Sequence, residues 1–250
     1  MLSVTSAQLE GWLALLAFPM ARILGFVGAA PVFGNNAVPR RIKLMVGLAV
    51  TLGLIGASAK LSKQPLLRHL AAGYTTLIRS VPDLVIMLLL FFSLQIWLNN
   101  LTEWLDTEQI DINPFAAGVL TLGFIYGAYF TETFRGAFQS VPAGQLEAAV
   151  AYGMNRRQVF VRVLFPQMMR FALPGIGNNW QVLIKATALV SIIGLIDIVK
   201  VTQDAGKNSM DLFFFSVVGG LIYLALTTVS NGVLMWLERR YSVGVRGAQL

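Results

Sequence analysis

Apolar positions along the chain gather into six long runs, at about 12–33, 44–59, 81–99, 112–131, 176–198 and 211–237, here named spans A to F. Roughly 20 mostly apolar residues are needed for a helix to cross about 30 Å of hydrocarbon. Spans C, D and F are long and carry little charge. Span E contains Lys185, and span A carries Arg22 near its middle. Span B, at about 24 Å of helix, is short for a crossing. The pattern predicts an all-α polytopic membrane protein.

Composition agrees. Of 250 residues, 56% are hydrophobic and 12% charged, about half the charged share of an ordinary soluble domain. The chain has no cysteine and a single histidine, His69. That excludes a disulfide scaffold, a Cys-based zinc site, a thiol nucleophile and multi-His metal sites. No set of catalytic, cofactor-binding or metal-binding residues emerges. Met1 to Glu10 lacks Lys and Arg, so the basic start of a secretory signal peptide is missing there.

Loop charges give an orientation. The C–D connection holds Glu103, Asp106, Glu108 and Asp111 and belongs outside, since no Lys or Arg lies between Arg79 and Arg135. The B–C connection (Lys60, Lys63, Arg68, Arg79), the D–E connection (Arg135, Arg156, Arg157, Arg162, Arg170) and the tail (Arg239, Arg240, Arg246) belong in the cytoplasm. The net charge of +7 therefore reads as a record of orientation and not as a nucleic-acid footprint. Trp97 and Trp104 fall near the outer boundary and Trp236 near the inner one. One cluster does not fit: Arg40, Arg41 and Lys43 sit on the side this topology makes external.

The stretch from Ser140 to Pro166 is the most informative. Pro142 suits the opening position of a short helix, and Gly153 the left-handed position that ends it. Asn155 with Gln158 has the spacing of a capping box. The second helix then offers Val159, Phe160, Val163 and Leu164 as an apolar stripe and stops by Pro166. Two short helices joined by a glycine turn predict a rigid cytoplasmic knob, suited to a partner protein.

Glu147-Ala148-Ala149, then Gly153, then Val163-Leu164-Phe165-Pro166 resembles the EAA loop of bacterial ABC importer permeases. Arg79-Ser-Val-Pro-Asp83, Glu132-Thr-Phe-Arg135 and Asn178-Asn-Trp-Gln181 through Lys185-Ala-Thr187 resemble the polar amino acid permeases, most of all the histidine/lysine/arginine/ornithine group. The resemblance covers about residues 50–250. It implies a five-span core in the bacterial inner membrane with a cytoplasmic C-terminus. It also implies an ABC ATPase subunit docked on Gly144, Glu147, Ala148, Ala149, Gly153, Arg156 and Pro166. A second permease subunit, the same or homologous, and a periplasmic amino-acid-binding protein complete the implied assembly. ATP would be bound by the partner, and the permease would hold no cofactor.

The first 50 residues instead resemble the N-terminus of the flagellar export protein FliR, through Met1-Leu-Ser-Val-Thr, Ala29-Ala-Pro-Val-Phe-Gly34 and Ala37-Val-Pro-Arg-Arg41. The expected division is therefore a 1–50 segment with one extra hydrophobic helix and a 51–250 permease domain. The expected function is ATP-driven import of polar, basic amino acids by alternating access. The alternatives are a flagellar type III export gate component or a non-functional chimera.

Glu132, Asn178, Gln181, Lys185 and Thr187 are candidates for the translocation path. Each also has a structural reading. Lys185 either faces the route or pairs with a carboxylate such as Glu132, and Glu132 either does so or pairs with Arg135. Asn178, Asn179 and Gln181 either line a route or cap the start of span E. Asp83 is read as a carboxylate at a helix N-terminus, and His69 as a surface residue.

Overall fold

A computed structural model describes residues 40–241, which are helical with no strand among them. In chain order the elements are α1 (Arg40–Leu61), α2 (Pro65–Ser80), α3 (Asp83–Trp104), α4 (Pro114–Gln139), α5 (Ala143–Ala151) and α6 (Arg156–Val159). A π turn (Phe160–Leu164), α7 (Phe165–Ala186), a 3-10 segment (Thr187–Ile193), α8 (Ile198–Asn208) and α9 (Leu212–Tyr241) follow. Among the described residues, five helical stretches are long and apolar enough to cross a membrane: Ile42–Leu61, Asp83–Trp104, Pro114–Gln139, Arg156–Ile193 and Leu212–Arg239.

Helix α4 is the spine. Asn113 caps it by accepting from the Phe115 N–H, and Pro114 occupies its first turn, where a missing N–H costs nothing. Within its most apolar stretch 67% of residues are buried, against 11% for α3 and 6% for α9. The outward faces of α3 and α9 are thus left to lipid or to another chain.

Glycine lets α1 lie directly on α4. Gly53 meets Phe130, Gly56 meets Thr131, Gly123 meets Leu48 and Gly127 meets Leu52. A Cβ on Gly127 would stand 2.8 Å from both Leu52 Cβ and the Tyr74 hydroxyl. Where lipid replaces water, close van der Waals contact of this kind carries helix association.

Polar side chains tie the other helices on. The Asp83 carboxylate accepts from Tyr126 (3.2 Å) and Tyr129 (3.5 Å) of α4, and the Arg79 guanidinium lies 5.5 Å from the Tyr129 ring centre. Gln95 donates to the Ile110 carbonyl and accepts from the Ile112 N–H. Asn179 donates to Thr133 at 3.0 Å, and Gln181 to Asn231 at 2.9 Å.

These pairs also set direction. Numbers rise together along α1 and α4 and in opposition between α4 and α3, α4 and α7, and α7 and α9. Leu61, Asp83, Gln139, Arg156 and Tyr241 accordingly gather at one end of the bundle, the grouping that the loop charges require.

Several expectations change. Span A, with Arg22, lies outside the described residues. Span B is not short, because its helix begins at Arg40 and offers the 20-residue stretch Ile42–Leu61. Span D runs on to Gln139. Span E begins well before residue 176 and ends sooner than 198, at Gly194, whose φ of +90° ends the helix in a left-handed cap. Asn178, Asn179 and Gln181 consequently sit inside α7 and cannot cap it. Asp83 makes no capping hydrogen bond, since its carboxylate is turned to the two tyrosines.

Candidate functional site

The segment between α4 and α7 builds the knob. Helix α5 has nine residues, too few to persist alone in water. Docking holds it: Ala149 is buried, and half-buried Leu146 packs on the core. Pro142 occupies the N-cap, one place earlier than expected, with Ala143 first in the helix. The helix ends in paired bonds, Met154 N–H to the Ala149 carbonyl (3.1 Å) and Gly153 N–H to the Val150 carbonyl (2.9 Å), with Gly153 at φ +76°. This is a Schellman motif, and it needs the left-handed residue that glycine supplies without a Cβ penalty.

The next helix opens on the capping box that the spacing predicts. Asn155 accepts from the Gln158 N–H, and the Gln158 side chain accepts from the Asn155 N–H, both at 2.9 Å. Pro166 does not stop this helix. The ladder slips into a π turn over Phe160–Leu164, in which the Phe165 N–H reaches the Phe160 carbonyl, and α7 continues. The re-registering falls where the next residue, Pro166, has no N–H to place, so the proline is absorbed. The knob is therefore rooted in a membrane-length helix at each end.

Gly144, Glu147 and Ala148 share one exposed face of α5, while Ala149 points inward. Arg156 and Pro166 are exposed as well. Two exposed residues between Ala148 and Arg156 carried no role in the sequence reading, Val150 and Tyr152, the latter 87% exposed. The signal was available: an aromatic side chain next to the turn glycine in a polar loop.

The path candidates divide. Asn178, Gln181 and Lys185 recur at helical spacing on one side of α7, with Asn178 and Lys185 exposed. Lys185 lines a cavity of about 350 Å³ with Thr202, Gln203, Ser216 and Tyr223. Thr187 is buried, donates to the Ile184 carbonyl and borders a separate, mostly apolar cavity. Glu132 lines neither of these two cavities. Its carboxylate is held by Lys60 and by Arg135 (2.9 Å), not by Lys185. Lys60 had no local sequence signal, because its partner lies 72 positions away. His69 is exposed and hydrogen-bonds the Pro65 carbonyl.

Residues 49–243 match the family described as binding-protein-dependent transport system inner membrane component. This chain belongs to that family. It is 64% identical over 205 residues to the histidine/lysine/arginine/ornithine transport system permease protein HisQ of Escherichia coli K12. That match covers 82% of this chain and 90% of the relative. It is 35% identical over 203 residues to the octopine transport system permease protein OccQ of Rhizobium radiobacter, covering 81% and 84% of the two chains. Among solved structures it resembles an amino acid ABC transporter crystallised with histidines. There the TM-score is 0.65 and the identity 31%, over 87% of this chain and 97% of that one. An inward-facing MetNI methionine ABC transporter shares the fold, with a TM-score of 0.55 at 14% identity over 79% and 93%. The chain, with five membrane-length helical stretches among its described residues, is thus an inner-membrane transport component.

Proposed function

We propose that this permease is the membrane subunit of an ATP-driven importer of polar, basic amino acids, and that its knob receives an ATPase subunit. The observation that carries the reading is the knob itself: a rigid, exposed helix face of Gly144, Glu147 and Ala148, rooted in α4 and α7. The names of the relatives supply the substrate class. Two permease subunits and a periplasmic binding protein complete the machine, with the knob end and the C-terminus in the cytoplasm. The permease does no covalent chemistry. ATP is bound and hydrolysed by the partner, and its closure shifts the permease between outward- and inward-facing states through differential contacts at the knob.

The route runs along the α7 face of Asn178, Gln181 and Lys185, with Thr187 beyond it. The Lys185 charge repels a cationic substrate side chain, which argues against direct contact between the two. Residues 51–250 constitute the transport domain and 1–50 a separate N-terminal segment, a division supported by the start of the family match at residue 49. An export-gate role would need export-family sequence beyond residue 53, where this chain follows the transport family.

Co-purification tests the docking. The parent chain is expected to bring an ATPase subunit with it from the membrane, while Glu147→Lys and Gly153→Asp insert normally but lose it. Retention of the ATPase by both variants would sink the assignment.

A further inference from the structure

The inner end of α4 carries an ionic chain that ends at Gln139, four residues before the knob helix. One oxygen of Glu132 accepts from Lys60 Nζ in the last turn of α1. The other accepts from Arg135 Nε at 2.9 Å, and Arg135 Nη1 donates to Gln139, the last residue of α4, at 3.0 Å. Lys60 and Glu132 side chains are only 14% and 17% exposed. Desolvation offsets most of what a pair so enclosed contributes to stability, and an apolar pair of equal volume would hold the helices as well. What the ions add is a fixed geometry.

That geometry is continuous with the knob. Beyond Gln139 the chain passes through buried Val141 directly into α5. One residue after Glu132, Thr133 accepts from Asn179 of α7, the helix that roots the other arm of the knob. Toward the membrane, the contacts of Gly53 with Phe130 and of Gly56 with Thr131 extend the α1–α4 seam that the ion pair closes.

Resting on the importer reading above, we propose that Glu132 is a positioning residue that couples α1 to the knob. Through Lys60 it ties α1 to α4, which Thr133 joins to α7, so that the three helices move as one lever when the knob is displaced. It is not a lining residue of the substrate route. Without the Lys60 link the knob still receives the ATPase and hydrolysis continues, but α1 no longer follows, so ATP is consumed without proportionate import.

The test uses the assembled transporter in proteoliposomes, with binding protein and labelled L-histidine or L-arginine, and measures ATP consumed per amino acid imported. Lys60→Gln is expected to lower uptake at least tenfold while binding-protein-stimulated hydrolysis stays within twofold of the parent. Lys60→Arg, which restores a cation, is expected to recover the parent ratio. Glu132→Gln should match Lys60→Gln. If it fails to accumulate, Lys60→Gln still decides, because it leaves the Glu132–Arg135 pair in place. An unchanged ratio in Lys60→Gln, or uptake and hydrolysis falling in proportion, overturns the lever. Glu147→Lys in the same assay separates the two ideas. If the parent shows no uptake, the importer reading falls; if Glu147→Lys keeps full uptake, the knob is not the ATPase's seat and the lever falls with it. If Glu147→Lys loses uptake while Lys60→Gln behaves as the parent, the lever alone falls.

Discussion

Gly153 and Gly144 lie in the same knob and face the same open solvent, yet only one requires glycine. An added Cβ meets nothing within 4 Å at either position, but Gly153 has φ +76°. A left-handed backbone costs an L-residue roughly 1–2 kcal/mol. Gly153→Ala is therefore expected to destabilise the purified permease by about that much, whereas Gly144→Ala stays within about 0.5 kcal/mol of the parent. Thermal unfolding in detergent compares them, and equal losses at the two sites would contradict the account of the turn. Residues whose role is local were readable in advance: Gly153 at its turn, Asn155 and Gln158 at their capping box. Those whose role depends on a distant helix were not. Nothing near Asp83 announces Tyr126 and Tyr129, and nothing near Glu132 announces Lys60.

At the scale of elements, the interlock of α1 with α4 holds the bundle. Any side chain at Gly53 runs into the Phe130 Cβ and stands 3.0 Å from its carbonyl carbon, which belongs to the backbone and cannot swing aside. Gly53→Leu is expected to abolish monodisperse permease in size-exclusion chromatography. Gly136→Ala, with nothing near its added Cβ, should elute as the parent does. A monodisperse Gly53→Leu protein would show that α1 and α4 do not pack this way. Apolar runs announced these helices because lipid and core both select apolar residues. The same indifference hid their limits: α4 continues past its apolar run to Gln139, and α7 is entered through a π turn that no proline rule foresees.

For the whole molecule, the parent's lack of cysteine makes sidedness directly measurable. A single cysteine at Glu108, in the acidic C–D loop, is expected to react with an impermeant maleimide in intact spheroplasts. One at Tyr152, on the knob, should react only after permeabilisation. Labelling of both in intact spheroplasts would invert or break the topology. The charge asymmetry that first suggested this arrangement was legible because a bilayer sorts Lys and Arg by side, here in the B–C and D–E connections and the tail, while Arg40, Arg41 and Lys43 do not follow it. Charge and apolar pattern did not reveal the assembly, because its partners contact faces that one chain leaves open; the motif resemblance alone implied it. The most direct test of the account is ATP-dependent uptake of labelled L-histidine or L-arginine by the reconstituted transporter, comparing the parent permease with Glu147→Lys at equal membrane content. The account predicts uptake by the parent and at least a tenfold loss in the variant. Equal uptake by the two, or none by the parent, would contradict it.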